Sequence, residues 1–156
     1  IRIFSVLILM CGIIFSGLSF IKQTSLMEPS LRQIEALNYL REKSNPRSVI
    51  FSYYDRGLWF NYIGDKNVMD SNFFYAPNVN ERWEDSLMLL NSNDIDTTLE
   101  ILNKYKVDYI WLDRHVKDRF YGANEINFLY QLKYDQRFRV VYRNLDVEIW
   151  KYEKLL

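Results

Sequence analysis

The chain has 156 residues, 49% of them hydrophobic and 17% aromatic, which is enough for one domain with a substantial core. Its 20 Lys+Arg balance 20 Asp+Glu, and with no basic run to neutralise phosphates no nucleic acid partner is expected. Cys11 is the only cysteine and His115 the only histidine, so there is no disulfide framework and little on which to build a histidine metal cluster or a Ser/His/Asp arrangement.

Ile3 to Ile21 (IFSVLILMCGIIFSGLSFI) carries no charge and is bracketed by Arg2 and Lys22. A helix of about twenty apolar residues spans the hydrocarbon core of a bilayer. A secretory signal has a shorter apolar run followed by a small-residue cleavage site, whereas Lys22-Gln23-Thr24 follow here. Residues 1–22 are therefore expected to form a transmembrane helix. Because the chain opens on Ile1 rather than Met, that helix is read as the last span of a larger protein. The flanking charges are too sparse to orient it.

Residues 25–156 are expected to form one α/β domain. Leu31, Ile34, Leu37 and Leu40 recur at near-helical spacing, and Ser44-Asn45-Pro46 ends that helix. Ser48 to Ser52 (SVIFS) reads as a buried strand. Leu58 to Ile63 follows as a helical turn or two, Gly64-Asp65 as a turn, and Asn67 to Met69 as a brief second strand. Asn80 is a candidate N-cap for a helix with Trp83, Leu87 and Leu90 on one face, and Asp94 for the next, with Ile95, Leu99 and Leu102. Val107 to Leu112 (VDYIWL) consists largely of β-formers. A helix over Asn124 to Tyr134 precedes Phe138 to Tyr142 and Val147 to Tyr152, which read as a closing β-hairpin with side alternation at Leu145, Val147 and Ile149. Strands alternating with helices predict a mainly parallel sheet covered on both faces, with the hairpin at its edge.

Several polar groups have simple structural explanations. Asp94 and Asp96, and Glu81, Glu84 and Asp85, stand near helix starts, where carboxylates suit the dipole and cap free amides. His115 is placed in a loop after a strand. Phe73-Phe74-Tyr75-Ala76-Pro77 is an aromatic loop that suits packing, a pocket wall or a membrane interface.

The stretch of most chemical interest is Tyr53-Tyr54-Asp55-Arg56-Gly57, at the end of the first strand. Ligands of such sheets bind outside the carboxyl ends of the strands. Asp55 can accept hydrogen bonds from a hydroxyl or amide, the tyrosines can wall a small pocket, and Gly57 would let the chain turn tightly beneath them. Equally, Asp55 is a good N-cap for a helix starting at Arg56, with both tyrosines as packing aromatics. Spacing leaves both readings open.

These residues resemble the catalytic subunits of oligosaccharyltransferases, which carry the motif WWDYG in a globular domain after the last membrane helix, then an apolar run, a basic residue and an Asp-x-Asn element. Here Tyr53-Tyr54-Asp55-Arg56-Gly57 is followed by Lys66 and by Asp70-Ser71-Asn72 in the same order, and KYKVDYIWLD (Lys104 to Asp113) is similar to a later strand of that family. Tyrosines replace both tryptophans, and Arg56 replaces the motif's tyrosine. The resemblance implies an acceptor-binding role for Tyr53, Tyr54, Asp55, Arg56 and Gly57, with Lys66, Asp70 and Asn72 as secondary contacts. In the family such a pocket holds the Ser or Thr of an Asn-x-Ser/Thr sequon. Arg56 or Lys66 would add a contact to an anionic group. The resemblance further implies a multi-spanning membrane glycosyltransferase with its tail domain on the extracytoplasmic face, a polyprenyl-phosphate-linked sugar donor, and a polypeptide or glycan acceptor. No catalytic residue, metal or other cofactor is expected within these residues. Catalysis, with a divalent metal as a candidate, would belong to a membrane portion outside them. The alternative is a non-catalytic structural or interaction domain of a membrane protein.

Overall fold

The computed structural model describes residues 10–19, 28–53, 56–64, 67–69, 77–120 and 128–154, in two units divided after Ser30. The first unit contributes one helix, α1 (residues 10–19), on which Met10, Ile13, Ile14, Phe15 and Leu18 are exposed. Among the described residues no helix is long and apolar enough to cross a membrane. Residues 1–9 and 20–22 of the expected span lie outside the described residues.

The second unit runs α2 (Leu31–Lys43), β1 (Val49–Phe51), α3 (Gly57–Trp59) continuing into a π-helical turn (Phe60–Gly64), β2 (Asn67–Val68), α4 (Val79–Leu90), α5 (Ile95–Lys104), β3 (Tyr109–Asp113), α6 (Arg114–Phe120), α7 (Phe128–Tyr134), β4 (Phe138–Arg143) and β5 (Val147–Tyr152). The five strands form one sheet in the order β2-β1-β3-β5-β4. β1 pairs in parallel with β2 and β3, whereas β5 pairs antiparallel with both β3 and β4. The α/β class and the terminal hairpin are as expected, but the sheet is mixed rather than mainly parallel. The hairpin does not merely border the sheet: β5, the more buried of its strands, docks along β3 from Tyr109↔Lys151 to Asp113↔Val147. That leaves the more exposed β4 on the edge.

Alternation in the strands divides the apolar residues between two cores. On one face Phe51, Ile110, Leu112 and Trp150 pack with Leu89 and Leu90 of α4, Ile101 and Leu102 of α5, Val116 of α6, and Phe128 and Leu132 of α7. On the other, Ile50, Trp111, Val147 and Ile149 pack with Ala36, Leu37 and Leu40 of α2 and with Trp59 and Phe60. Phe60 meets Trp111 edge to face, with ring centroids 5.1 Å apart. A register irregularity between Val140 and Tyr142 in β4 accompanies the packing of both Val141 and Tyr142 against the second core while Val140 packs against the first.

Several boundaries differ from expectation for local reasons. α4 begins at Val79, one residue before Asn80, because Asn78 adopts the left-handed backbone (φ 56°) and its carbonyl accepts from Arg82 N–H at 3.0 Å. Asn is among the residues that tolerate that conformation. Asp94 does cap α5, accepting from Thr97 N–H at 2.8 Å. A bond from the Thr97 hydroxyl, and then that amide bond, hold the carboxyl below its ordinary range. Leu145, expected in the hairpin alternation, is exposed in the turn. Asn144 closes this turn: its Oδ1 accepts from Asp146 and Val147 N–H, and its Nδ2 donates to the Arg32 carbonyl of α2.

α5 ends with paired bonds from Lys106 N–H to Asn103 and from Val107 N–H to Leu102, the pattern of a Schellman cap. The position that usually holds glycine is here Lys106, at φ 55°. Two residues are spent on this cap and Asp108 ties the start of β1, so β3 begins at Tyr109 rather than Val107. Left-handed backbone costs an L-residue about 1–2 kcal/mol, and glycine's extra chain entropy offsets part of the relief. Lys106→Gly is therefore expected to stabilise the fold by roughly 0.5–1 kcal/mol, measurable as a higher denaturant midpoint with an unchanged slope.

Glu148 on β5 is half-buried, which by itself would raise its pKa, but Lys117 at 2.8 Å and Arg143 at 3.2 Å more than reverse this and hold it low. Asp135 is lowered by its hydrogen bond from Arg137. Groups with depressed folded pKa values stabilise above the unfolded value, about 4 for carboxylates, and lose that contribution as pH falls through the folded value. Stability should fall between about pH 5 and 3, and the fall should be shallower in Glu148→Gln. Denaturant titrations across that range read this directly.

Candidate functional site at the carboxyl ends of β1 and β3

β1 and β3 lie side by side and parallel, yet the chain leaves them toward opposite faces of the sheet. After β1 it enters α3 and the π turn, which pack on the Trp111 face; after β3 it enters α6, whose Val116 packs on the Leu112 face. In open α/β sheets, connections that diverge in this way mark the carboxyl-end crevice where ligands usually bind. Tyr53, Arg56 and Asp113 meet around this place.

Tyr53 is 3% exposed. Its ring centroid is 5.5 Å from Phe120, 6.3 Å from Trp83 and 6.4 Å from His115, and the Arg119 guanidinium lies 5.3 Å from its ring centre. The side chain thus fills a box built by α4 and α6. Arg56 N–H donates to the Tyr53 carbonyl at 3.0 Å.

Arg56 is 9% exposed and pairs with Asp113, which is 0% exposed. Arg56 Nε donates to Asp113 Oδ2 at 2.8 Å, and the guanidinium lies 4.4 Å over the Trp59 ring. The other Asp113 oxygen, Oδ1, accepts from Val116 N–H at 2.9 Å and so caps α6. Gly57 opens α3 and is buried. Among the described residues no glycine has positive φ, so the tight glycine turn expected at Gly57 is not what the backbone adopts: Gly57 is the first residue of a helix. Arg56 itself precedes α3 and makes no side-chain cap.

Tyr54, Asp55, Lys66, Asp70 and Asn72 lie outside the described residues, as do Phe73 to Ala76 of the aromatic loop. Their neighbours are fixed. Met69 is buried beside β1, its N–H donating to the Ile50 carbonyl at 2.8 Å. Arg82 of α4 donates to the Met69 carbonyl and, through Nε at 2.9 Å, to the Pro77 carbonyl. One guanidinium therefore holds both flanks of the segment carrying Asp70 and Asn72. Arg82 is itself 5.0 Å over the Tyr105 ring. The Tyr105 hydroxyl donates to Asp85 at 2.6 Å, and burial together with that bond pushes its pKa up to about 12. Lys104, also bonded to Asp85 and paired with Glu81, is shifted upward too.

His115 stands on the exposed face of α6 rather than in a loop. Asp113, Trp83, Phe120 and Arg119 were not expected at the crevice. A carboxylate closing the otherwise apolar strand YIWLD was the available signal for Asp113. The others converge only through tertiary structure. Among the described residues no group of three or more metal-ligating side chains comes together.

Arg82→Ala removes both ties on the segment between Met69 and Pro77. Loss of two such bonds should cost about 1–3 kcal/mol, and limited proteolysis should cut this segment first and faster than in the parent chain.

No family model matches the chain, and no curated protein matches it. Solved structures do. The C-terminal globular domain of the oligosaccharyltransferase AfAglB-S2 from Archaeoglobus fulgidus superposes with a TM-score of 0.63 at 19% identity, covering 81% of this chain and 99% of that one. Another crystal structure of the C-terminal globular domain of oligosaccharyltransferase from Archaeoglobus fulgidus gives 0.52 at 21% identity, again with 81% and 99% covered. The chain shares the fold of the oligosaccharyltransferase C-terminal globular domain.

Proposed function

We propose that this chain is the C-terminal part of a multi-spanning membrane glycosyltransferase, its globular domain on the extracytoplasmic face contributing to acceptor binding. The observation that carries this reading is a coincidence of place. Nearly the whole of the oligosaccharyltransferase domain is matched, and Tyr53 and Arg56, members of the stretch that resembles the acceptor motif of that family, follow β1, which pairs in parallel with β3. The donor is a polyprenyl-phosphate-linked sugar and the acceptor a polypeptide or glycan. Sugar transfer takes place in the membrane portion, which supplies the catalytic groups and any divalent metal.

In this reading Asp55 accepts a hydrogen bond from an acceptor hydroxyl, as a carboxylate at a strand end can. Tyr54 lines the same pocket, Tyr53 and Gly57 support it from beneath, and Arg56 joins it from the β3 side. Lys66, Asp70 and Asn72 add contacts from the segment that Arg82 holds at both flanks.

A second reading has an observation in its favour. Tyr53 is packed among Trp83, Phe120 and His115, and Arg56 is engaged by Asp113, so two members of the stretch already serve the domain's own interior. On that reading the domain is structural and the stretch serves its own fold rather than an acceptor.

Transfer assays on membranes holding the full-length protein separate the two. With a polyprenyl-linked donor and an Asn-x-Thr peptide, Asp55→Ala is expected to lower kcat/KM about 10- to 100-fold, the equivalent of a charge-assisted hydrogen bond worth about 1.5–3 kcal/mol. Transfer that withstands the substitution sinks acceptor recognition by Asp55 and leaves the structural reading.

A further inference from the structure

We propose that the cavity at the amino ends of β1 and β3 is a binding site for a phosphate monoester, at the opposite end of these strands from the crevice. It stands independently of the acceptor reading above.

The cavity measures about 380 Å³, within the range of small-ligand sites, and is walled by Arg47 and Ser48 from the turn after α2, Asp108 and Tyr109 from the start of β3, and Lys151 from the end of β5. Asn45 shapes the first wall: its Oδ1 accepts from Arg47 N–H at 2.9 Å and its carbonyl from Ser48 N–H at 2.9 Å. Strand register builds the other. Lys151 stands directly opposite Tyr109 on β3 and Arg139 on β4, so these three side chains form a row across one face of the sheet.

The fold leaves positive charge and donors over in this place. Lys151 and Arg139 are like charges directly opposite one another, an arrangement that destabilises an antiparallel ladder. One carboxylate serves both, Glu153 lying 3.2 Å from Arg139 and 4.0 Å from Lys151. Asp108 is already engaged, one oxygen accepting from Val49 N–H at 3.0 Å and the other 3.5 Å from Lys154. Among the described residues the Arg47 guanidinium has no ion pair, and the hydroxyls of Ser48 and Tyr109 have no hydrogen-bond partner. Ser48 is only 5% exposed, where polar groups are normally paired. Burial, with Tyr39 nearby, raises the pKa of Tyr109, so its hydroxyl stays protonated and able to donate at neutral pH.

These groups define the ligand. Two cations from separate elements call for an anion, and the two hydroxyls beside them supply more donors than the pair of oxygens in a carboxylate would use. A phosphate monoester offers three terminal oxygens and a charge of about −1.5 to −2 at pH 7. It can engage Arg47, Lys151, Ser48 and Tyr109 together, while Asp108 keeps lone pairs for a hydroxyl of the esterified alcohol. A soluble phosphate ester and a lipid headgroup share this chemistry.

The test follows amide hydrogen exchange in the full-length protein held in nanodiscs. Glycerol phosphate is titrated onto protein in phosphatidylcholine discs, and discs of equal parts phosphatidylcholine and phosphatidic acid present the same group on a lipid. Protection of the Arg47 and Ser48 amides is expected to rise and saturate, with the Thr97 amide at the start of α5 unchanged. Protection by glycerol phosphate assigns the site to a soluble ester; protection in phosphatidic acid discs alone assigns it to a headgroup. Arg47→Ala and Lys151→Gln should each raise the half-saturating concentration or lipid fraction about tenfold, the loss of one charge-assisted hydrogen bond. Arg32→Gln, at a surface arginine elsewhere, should leave it unchanged. The two site variants alter different elements, so either decides the matter if the other disturbs the fold. No protection from either probe overturns the proposal. So does protection that survives both substitutions, or that Arg32→Gln weakens equally, which would mark general attraction to a basic surface.

Discussion

Because β3 is buried on both faces from Ile110 to Asp113, the elements around it must supply two cores and a partner for the one charge it carries. Ile110 and Leu112 face the layer made by α4 to α7, while Trp111 faces α2 and the π turn. Asp113, the next residue along, stands at the strand end fully buried. A buried carboxylate without a partner is far costlier than one that is paired and hydrogen-bonded, so folding must bring a donor to it. Arg56 and the first turn of α6 answer that requirement together, and in doing so they fix the chain on both sides of the crevice.

Local patterns made much of the layer structure legible. α2, α5, β1, β2 and the terminal hairpin follow from short-range signals: an apolar stripe, an aspartate three residues before a threonine amide, and β-branched runs broken by Asn-Leu-Asp. α6 gave no such signal, since in RHVKDRF only Val116 is buried and the remainder reads as loop. The antiparallel docking of β5 on β3 was hidden for another reason. Alternation of strands and helices suggests parallel crossovers, but it does not say which hairpin strand lies inward; that follows from comparing the burial of β5 with that of β4. Nor did a pair of nearby asparagines reveal which one turns left-handed before α4.

The crevice was half visible. Tyr53 to Gly57 drew notice as polar and aromatic residues directly after an apolar strand, a purely local feature. Arg56 and Asp113 are separated by 57 positions, and no spacing rule joins them. The box around Tyr53 likewise draws Trp83 from α4 and Phe120 from α6, each of which reads in isolation as an ordinary helix aromatic. A strand-end carboxylate in an otherwise apolar run is the clue worth weighing in such sequences, because it must find a distant cation or a helix to cap.

Arg82 also bears on how such a domain can vary. By bonding to the carbonyls of both Met69 and Pro77, it fixes the endpoints of the intervening chain independently of what that chain contains. With the endpoints set by the scaffold, lengthening the segment incurs only loop-closure entropy, about 0.6 kcal/mol for each doubling. Insertion or replacement between Met69 and Pro77 is thus expected to leave the sheet and its helices in place. A single arginine side chain thus uncouples the length of that segment from the packing of the core.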